Sequence, residues 1–163
     1  MTSRGVVTTW PVDGSAPSLS FYYSSTWFSY TLLASNNGNY PYIYDSITPI
    51  VLNPTDDPSY NSIGCMHVPE FDEILDLGTH PVSDNDAIFN LNYNVIFNSG
   101  GSISYSINRR LIDDPYDANG NAVFRITNGS GPYTFVQGYV VLRKTDDNGG
   151  RQVYVYFGNN VTL

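Results

Sequence analysis

One stretch constrains the fold more than any other: "FNLNYNVIFNSGGSISYSINRR", Phe89 to Arg110. Phe89, Leu91, Tyr93, Val95 and Phe97 alternate with Asn90, Asn92, Asn94 and Ile96. After Asn98-Ser99-Gly100-Gly101, Ile103, Tyr105 and Ile107 alternate with Ser104, Ser106 and Asn108. Successive side chains of a strand point to opposite faces, so period two on both sides of a Gly-Gly turn predicts an antiparallel hairpin with one buried face. The two strands are expected over 88–98 and 102–110.

The rest of the chain agrees with this pattern. "GYVVLRKTD" and "RQVYVYF" flank Asp147-Asn148-Gly149-Gly150 and predict a second hairpin. Upstream, "SLSFYYSSTWFSYTLLA" (18–34), "YIYDSITPIVL" (42–52) and "SIGCMHV" (62–68) are rich in strand-forming aromatic and β-branched residues. The one helical signal is "PEFDEILDLG" (69–78), with Pro69 suited to a first turn, acids near the N-terminus and Gly78 as a stop. Many short strands and at most one short helix imply an all-β sandwich or a closed barrel. Residues 1–18 read as an extended arm and 19–163 as one β domain.

Seven Lys and Arg against fifteen Asp and Glu leave a net charge of −8, which repels nucleic acid and anionic membranes. Charged residues are only 13% of the chain while aromatics reach 15%, so the surface is made polar by Asn, Ser, Thr and Tyr. No apolar run approaches the roughly 20 residues of a membrane helix, and the N-terminus lacks the apolar stretch of a signal peptide. A soluble protein is expected, with its compartment open. Cys65 is the single cysteine and reads as a small buried hydrophobe, with only His67 nearby in sequence to activate it. His67 and His80 have no zinc-like spacing, and Asp56-Asp57 and Asp113-Asp114 sit in turns before proline. No metal or cofactor is expected.

The stretch "ITNGSGPYTFVQGYVVLRK", Ile126 to Lys144, admits three readings. A phosphate loop would need its glycines to open a helix, whereas a strand-like segment follows them. Asn128-Gly-Ser and Asn160-Val-Thr both match the glycosylation acceptor pattern. As a structural corner, Gly129 and Gly131 would take positive φ and Gly138 would allow close passage to a neighbouring strand. The stretch resembles the "I-x-G-G-T-G-x-(Y/F)-x-x-A-x-G" signature of the dirigent and allene oxide cyclase barrels. Ile126, Gly129, Gly131, Tyr133 and Gly138 match; Ser130 stands in for Thr, Asn128 for the first paired glycine and Val136 for the alanine. The resemblance covers 25–158. It implies an eight-stranded antiparallel β-barrel, commonly trimeric, with an apolar cavity at its wider mouth. Members of the family steer a reactive intermediate to one stereoisomer without metal or redox cofactor. The family's first-strand acidic residue is absent, its place taken by Thr31.

Two functional classes follow. In the first, the barrel binds an apolar or aromatic small molecule and guides its cyclisation or coupling. Phe89, Leu91, Tyr93, Val95, Phe97 and Tyr105 would line the wall, and Arg109 would sit at the rim to anchor polar groups. In the second, the barrel is filled and the Tyr- and Asn-rich surface builds a homo-oligomer or coat. Self-association, as a homotrimer or another small oligomer, is expected in either case.

Overall fold

The computed structural model describes residues 16–36, 39–71, 88–110, 116–146 and 148–158, and only the backbone path at 34–36, 39–44, 69–71, 88–91 and 107–110. Nine strand segments form one antiparallel sheet: β1 (Leu19–Ser24), β2 (Ser29–Asn36), β3 (Asn39–Val51), β4 (Ser62–Phe71), β5 (Ile88–Phe97), β6 (Ser102–Arg110), β7 (Asn121–Ser130), β8 (Gly138–Lys144) and β9 (Gly150–Phe157). From β3 to β9 each strand pairs with the next. β1 pairs with β9 from Leu19↔Val155 to Ser24↔Gly150, and it meets β3 at Tyr22↔Val51. That contact closes the sheet on itself.

β2 lies along the same edge of β3, beginning at Ser29↔Ile47. β1 and β2 are therefore one barrel strand with an interruption, and the fold is a closed eight-stranded antiparallel barrel. The sequence reads 18–34 as a single strand. The chain between Tyr22 and Ser29 is longer than the facing Val51–Ile47, and the 3-10 turn Ser25–Trp27 absorbs the surplus. The Ser24 hydroxyl caps this turn by accepting the Thr26 N–H.

The hairpin of β5 and β6 runs in register from Ile88↔Arg110 to Ile96↔Ser102. Its turn is closed by the Phe97 N–H donating to the Gly101 carbonyl at 3.1 Å, with Gly100 and Gly101 at φ +106° and +83°. The expected helix over 69–78 does not begin as a helix. Pro69, Glu70 and Phe71 belong to β4, opposite Asp45, Tyr44 and Ile43, so ladder pairing overrides the local helical signal; residues 72–78 lie outside the described part. A short α-helix instead occupies Pro58–Asn61, where Asp57 caps the Ser59 N–H.

Every barrel strand sends alternate side chains inward, among them Phe21, Tyr23, Ile50, Met66, Val95, Phe97, Ile103, Tyr105, Phe124, Val140, Leu142 and Val153, and these form one continuous core. A second, smaller apolar cluster of Tyr139, Val141 and Tyr156 lies on the other face of β8 and β9. Removing the ring of Phe97, which packs edge-on against Phe21, should cost about 3–5 kcal/mol of stability in denaturant titrations of Phe97→Ala.

The chain turns from β7 into β8 through a second 3-10 turn, Gly131–Tyr133. Gly131 has φ +58°, and Gly138 has φ +146° where a Cβ would collide with the Tyr156 carbonyl oxygen. Gly129 differs from its expected role. Its φ is not positive; a Cβ there would strike the Tyr133 carbonyl, so glycine is required by close approach. At Gly131 a Cβ would lie 3.0 Å from the Gly101 Cα in a conformation that β-branched residues avoid. Gly131→Val should lower the melting temperature by several degrees, and an unchanged thermal transition would show that the corner tolerates a side chain.

Candidate functional site

The two ends of the barrel differ. At one end the β5–β6 turn meets the glycine corner, and Tyr133 packs against Phe97 with ring centroids 5.3 Å apart and against Phe157 at 6.0 Å. Tyr133 and Val136 rest on the core, so this end is a packed floor.

At the opposite end the inward positions turn polar. Tyr23 on β1, Tyr93 on β5 and Tyr105 on β6 bring phenols together, and Tyr116 joins them just before β7. Tyr93 stacks on Tyr105 with centroids 5.0 Å apart, and Phe124 meets both rings edge-on. The Tyr105 hydroxyl points to the Met66 sulfur at 3.4 Å. Tyr23 and Tyr105 are buried, while Tyr93 and Tyr116 are half-buried and carry the cluster towards solvent.

Two cations cap these phenols. Arg151 Nε donates to the Tyr116 hydroxyl at 3.2 Å, and one Nη donates to the Gly150 carbonyl at 2.9 Å. Lys144 Nζ lies 4.0 Å above the centre of the Tyr116 ring, a cation–π contact. The β8–β9 register sets Lys144 opposite Arg151, and Arg151 in turn lies opposite Tyr23. The turn that fixes this register is held by Asp146, whose carboxylate accepts the N–H groups of Asn148 and Gly150 at 2.9 Å. Asp117 does the same for the turn entering β7, accepting from Asn119 and Asn121.

Of the residues expected to line a cavity, Val95, Phe97 and Tyr105 are buried core residues and Tyr93 is half-buried among the phenols. Phe89 and Arg109 face each other in the ladder, as do Leu91 and Ile107; the side chains of Phe89, Leu91 and Arg109 lie outside the described part. Arg151, Lys144, Tyr23 and Tyr116 were not singled out by the sequence. The signal available was the double phase of the last hairpin: Arg151 and Lys144 continue the inward series of Val153-Val155 and Val140-Leu142.

Other candidates fall elsewhere. Thr31 is exposed on β2, opposite Asp45. His67 pairs with Asp45 at 3.2 Å on the face of β3 and β4 opposite the buried Ser46 and Val68. Cys65 is half-buried beside them in the strand and makes no hydrogen bond to His67. Asp56 accepts the Asn53 N–H, and Asn128 accepts the N–H of Gly129, both local turn contacts. His80, Asp113, Asp114 and Asn160 lie outside the described residues. No helix among the described residues is long and apolar enough to cross a membrane.

Burial raises the hydroxyl pKa of Tyr23 and Tyr105 well above the ordinary 10.0, and the neighbouring phenols push further in the same direction. Arg151 opposes this at Tyr23. Both groups stay protonated when folded at a pH where the unfolded chain ionises. Their contribution to stability is therefore intact below pH 10 and is lost as pH climbs towards the folded values. In a spectrophotometric titration, these two phenolates should appear only together with loss of the folded circular dichroism signal. Their ionisation at an ordinary pH in the folded protein would contradict the burial.

No protein-family model matches this sequence, and no curated protein matches it either. Among solved structures, the chain is similar to the pterocarpan synthase dirigent protein GePTS1, at 16% identity and a TM-score of 0.48 over 85% of this chain and 86% of that one. For the pterocarpan synthase dirigent protein PsPTS1 the figures are 16% and 0.47, over 86% and 95% of the two chains. For a pyocyanin demethylase they are 9% and 0.46, over 83% and 96%. Each likeness is one of overall chain path.

Proposed function

We propose that the barrel binds an aromatic small molecule bearing a phenolic or carboxylate oxygen at its tyrosine-lined mouth, and holds it in one orientation for cyclisation or coupling. The observation that carries this reading is the convergence of Lys144 and Arg151 on a cluster of phenols above a packed floor. In a chain of net charge −8, two cations at one opening favour an electron-rich or anionic guest. The half-buried Tyr93 and Tyr116 give the cluster an aromatic border, and Arg151, bonded through Nε to Tyr116 and through one Nη to Gly150, keeps its other Nη for a ligand oxygen. The phenols are poor bases at neutral pH, so selectivity would come from orientation rather than from proton transfer. The reading is tested by calorimetric titration with a hydroxycinnamate, its neutral alcohol and a terpenoid of similar size. The hydroxycinnamate should bind best, and Arg151→Gln should weaken it roughly ten-fold, the worth of one charge-assisted hydrogen bond. Absence of binding by all three, or an Arg151→Gln variant that binds as well as the parent, would sink it.

A second reading has its own support. β2 has no partner beyond β3 in the described sheet, and Tyr30, Leu32 and Leu33 on it are 58%, 49% and 60% exposed. The β-bulge between Leu32 and Ala34 sets Leu33 outside the ladder. Such a surface suits burial against a second copy in a trimer or another small homo-oligomer. Analytical ultracentrifugation should give a mass above the monomer that falls for Leu33→Asp; a monomer at high micromolar concentration would count against self-association.

A further inference from the structure

At the packed end of the barrel one ladder stops short of the strand it follows. The β7–β8 ladder ends at Arg125↔Tyr139, although β7 continues to Ser130. Beyond that pair, β7 faces the loop that leads into β8, and no backbone hydrogen bond among the described residues joins Ile126–Gly129 to Phe135–Gln137. The gap is an open groove of about 550 Å³. Arg125, Thr127, Asn128, Phe135 and Gln137 supply its polar and aromatic side chains.

Three features of the lining point to a ligand. Arg125 is exposed and makes no ion pair among the described residues, and no carboxylate among them lines the groove with it. Phe135 is the one non-glycine residue with positive φ among the described residues, at +66°, and its side chain is 95% exposed. An aromatic ring held there costs backbone strain and gains no burial, a combination that marks positions kept for recognition. The amide groups of Asn128 and Gln137 complete the set. Asn128 uses its oxygen on the Gly129 N–H and so keeps its NH₂ for another acceptor.

We infer that this groove binds an acidic saccharide, a chain of uronic acid units. Its carboxylate meets the Arg125 fork, the apolar face of a pyranose ring lies on Phe135, and its hydroxyls bond to the amides of Asn128 and Gln137 and to the uncrossed backbone edge of β7. A purely apolar guest leaves Arg125 and the amides unmet, and a small anion alone leaves the Phe135 ring uncovered. A groove open to solvent can seat part of a longer chain, which an enclosed pocket could not.

The test uses the whole protein and three probes: a short galacturonic acid oligomer, the neutral galactose oligomer of the same linkage, and benzoate. Binding is followed by calorimetry and amide chemical shifts at moderate salt. The acidic oligomer is expected to bind, with shifts confined to 125–129 and 135–138, and the neutral oligomer to bind roughly ten-fold more weakly. Arg125→Gln should remove that preference. Phe135→Gly should weaken the acidic oligomer while leaving the melting temperature unchanged or raised, because it relieves the positive-φ strain and removes a ring that buries nothing. The inference is overturned if the acidic oligomer does not bind, if neutral and acidic oligomers bind alike, or if benzoate binds as well as the oligomer. A drop in melting temperature for Phe135→Gly, with binding intact, would also overturn it by giving the ring a structural role. None of these outcomes depends on ligand binding at the mouth.

Discussion

Closure through β1 is the constraint on which everything else rests. This short strand pairs along its full length with β9 and touches β3 at Tyr22↔Val51, so it joins the two ends of a sheet that would otherwise present two open edges. Once the ring is shut, the alternation along each strand has a single inside, and Phe21 and Tyr23 join the core from a strand far from their partners in sequence. The contact is paid for by a long loop closure, since β1 and β9 are separated by almost the whole chain. Every inward position gains from it together, which makes the core cooperative.

How much of this was legible in the sequence depends on whether the informative contacts are local. The β5–β6 hairpin was readable because its period, its turn glycines and its partner lie within one stretch. The glycine corner was readable for the same reason, although Gly129 serves close packing and not the positive φ expected of it. The interruption of the first strand was hidden, because only the pairing with β3 shows that Ser25–Trp27 is surplus. The apparent helix start at Pro69 was misleading because its strand pairing with β3 carries no local mark. Arg109 stood out over Arg151 because its strand had the cleaner alternation. The polar mouth is assembled by closure, from β1, β5, β6, β8 and β9 at once, and no single segment announces it.

Three of the described cations fall at two places on the barrel. Lys144 and Arg151 are spent at one opening, on a phenol cluster whose two buried members are held neutral by desolvation. Arg125 stands apart, beside an exposed ring. With acids more than twice as numerous as bases, an unneutralised cation creates a local field of opposite sign to that of the whole molecule. For an anion at either place, long-range repulsion would slow arrival and short-range attraction would prolong the stay, so the field acts on residence rather than on encounter.

The 3-10 turn Ser25–Trp27 has a mechanical consequence. It uncouples β2 from the ring: β1 carries the closure with β9, whereas β2 is held to the barrel through β3. Lifting β2 from that edge would sacrifice one ladder and leave closure to the single β1–β3 pair, Tyr22↔Val51. β2 is thus the stave with the least lateral support among the described strands, and native-state hydrogen exchange is expected to show a smaller opening free energy there than in strands paired on both sides.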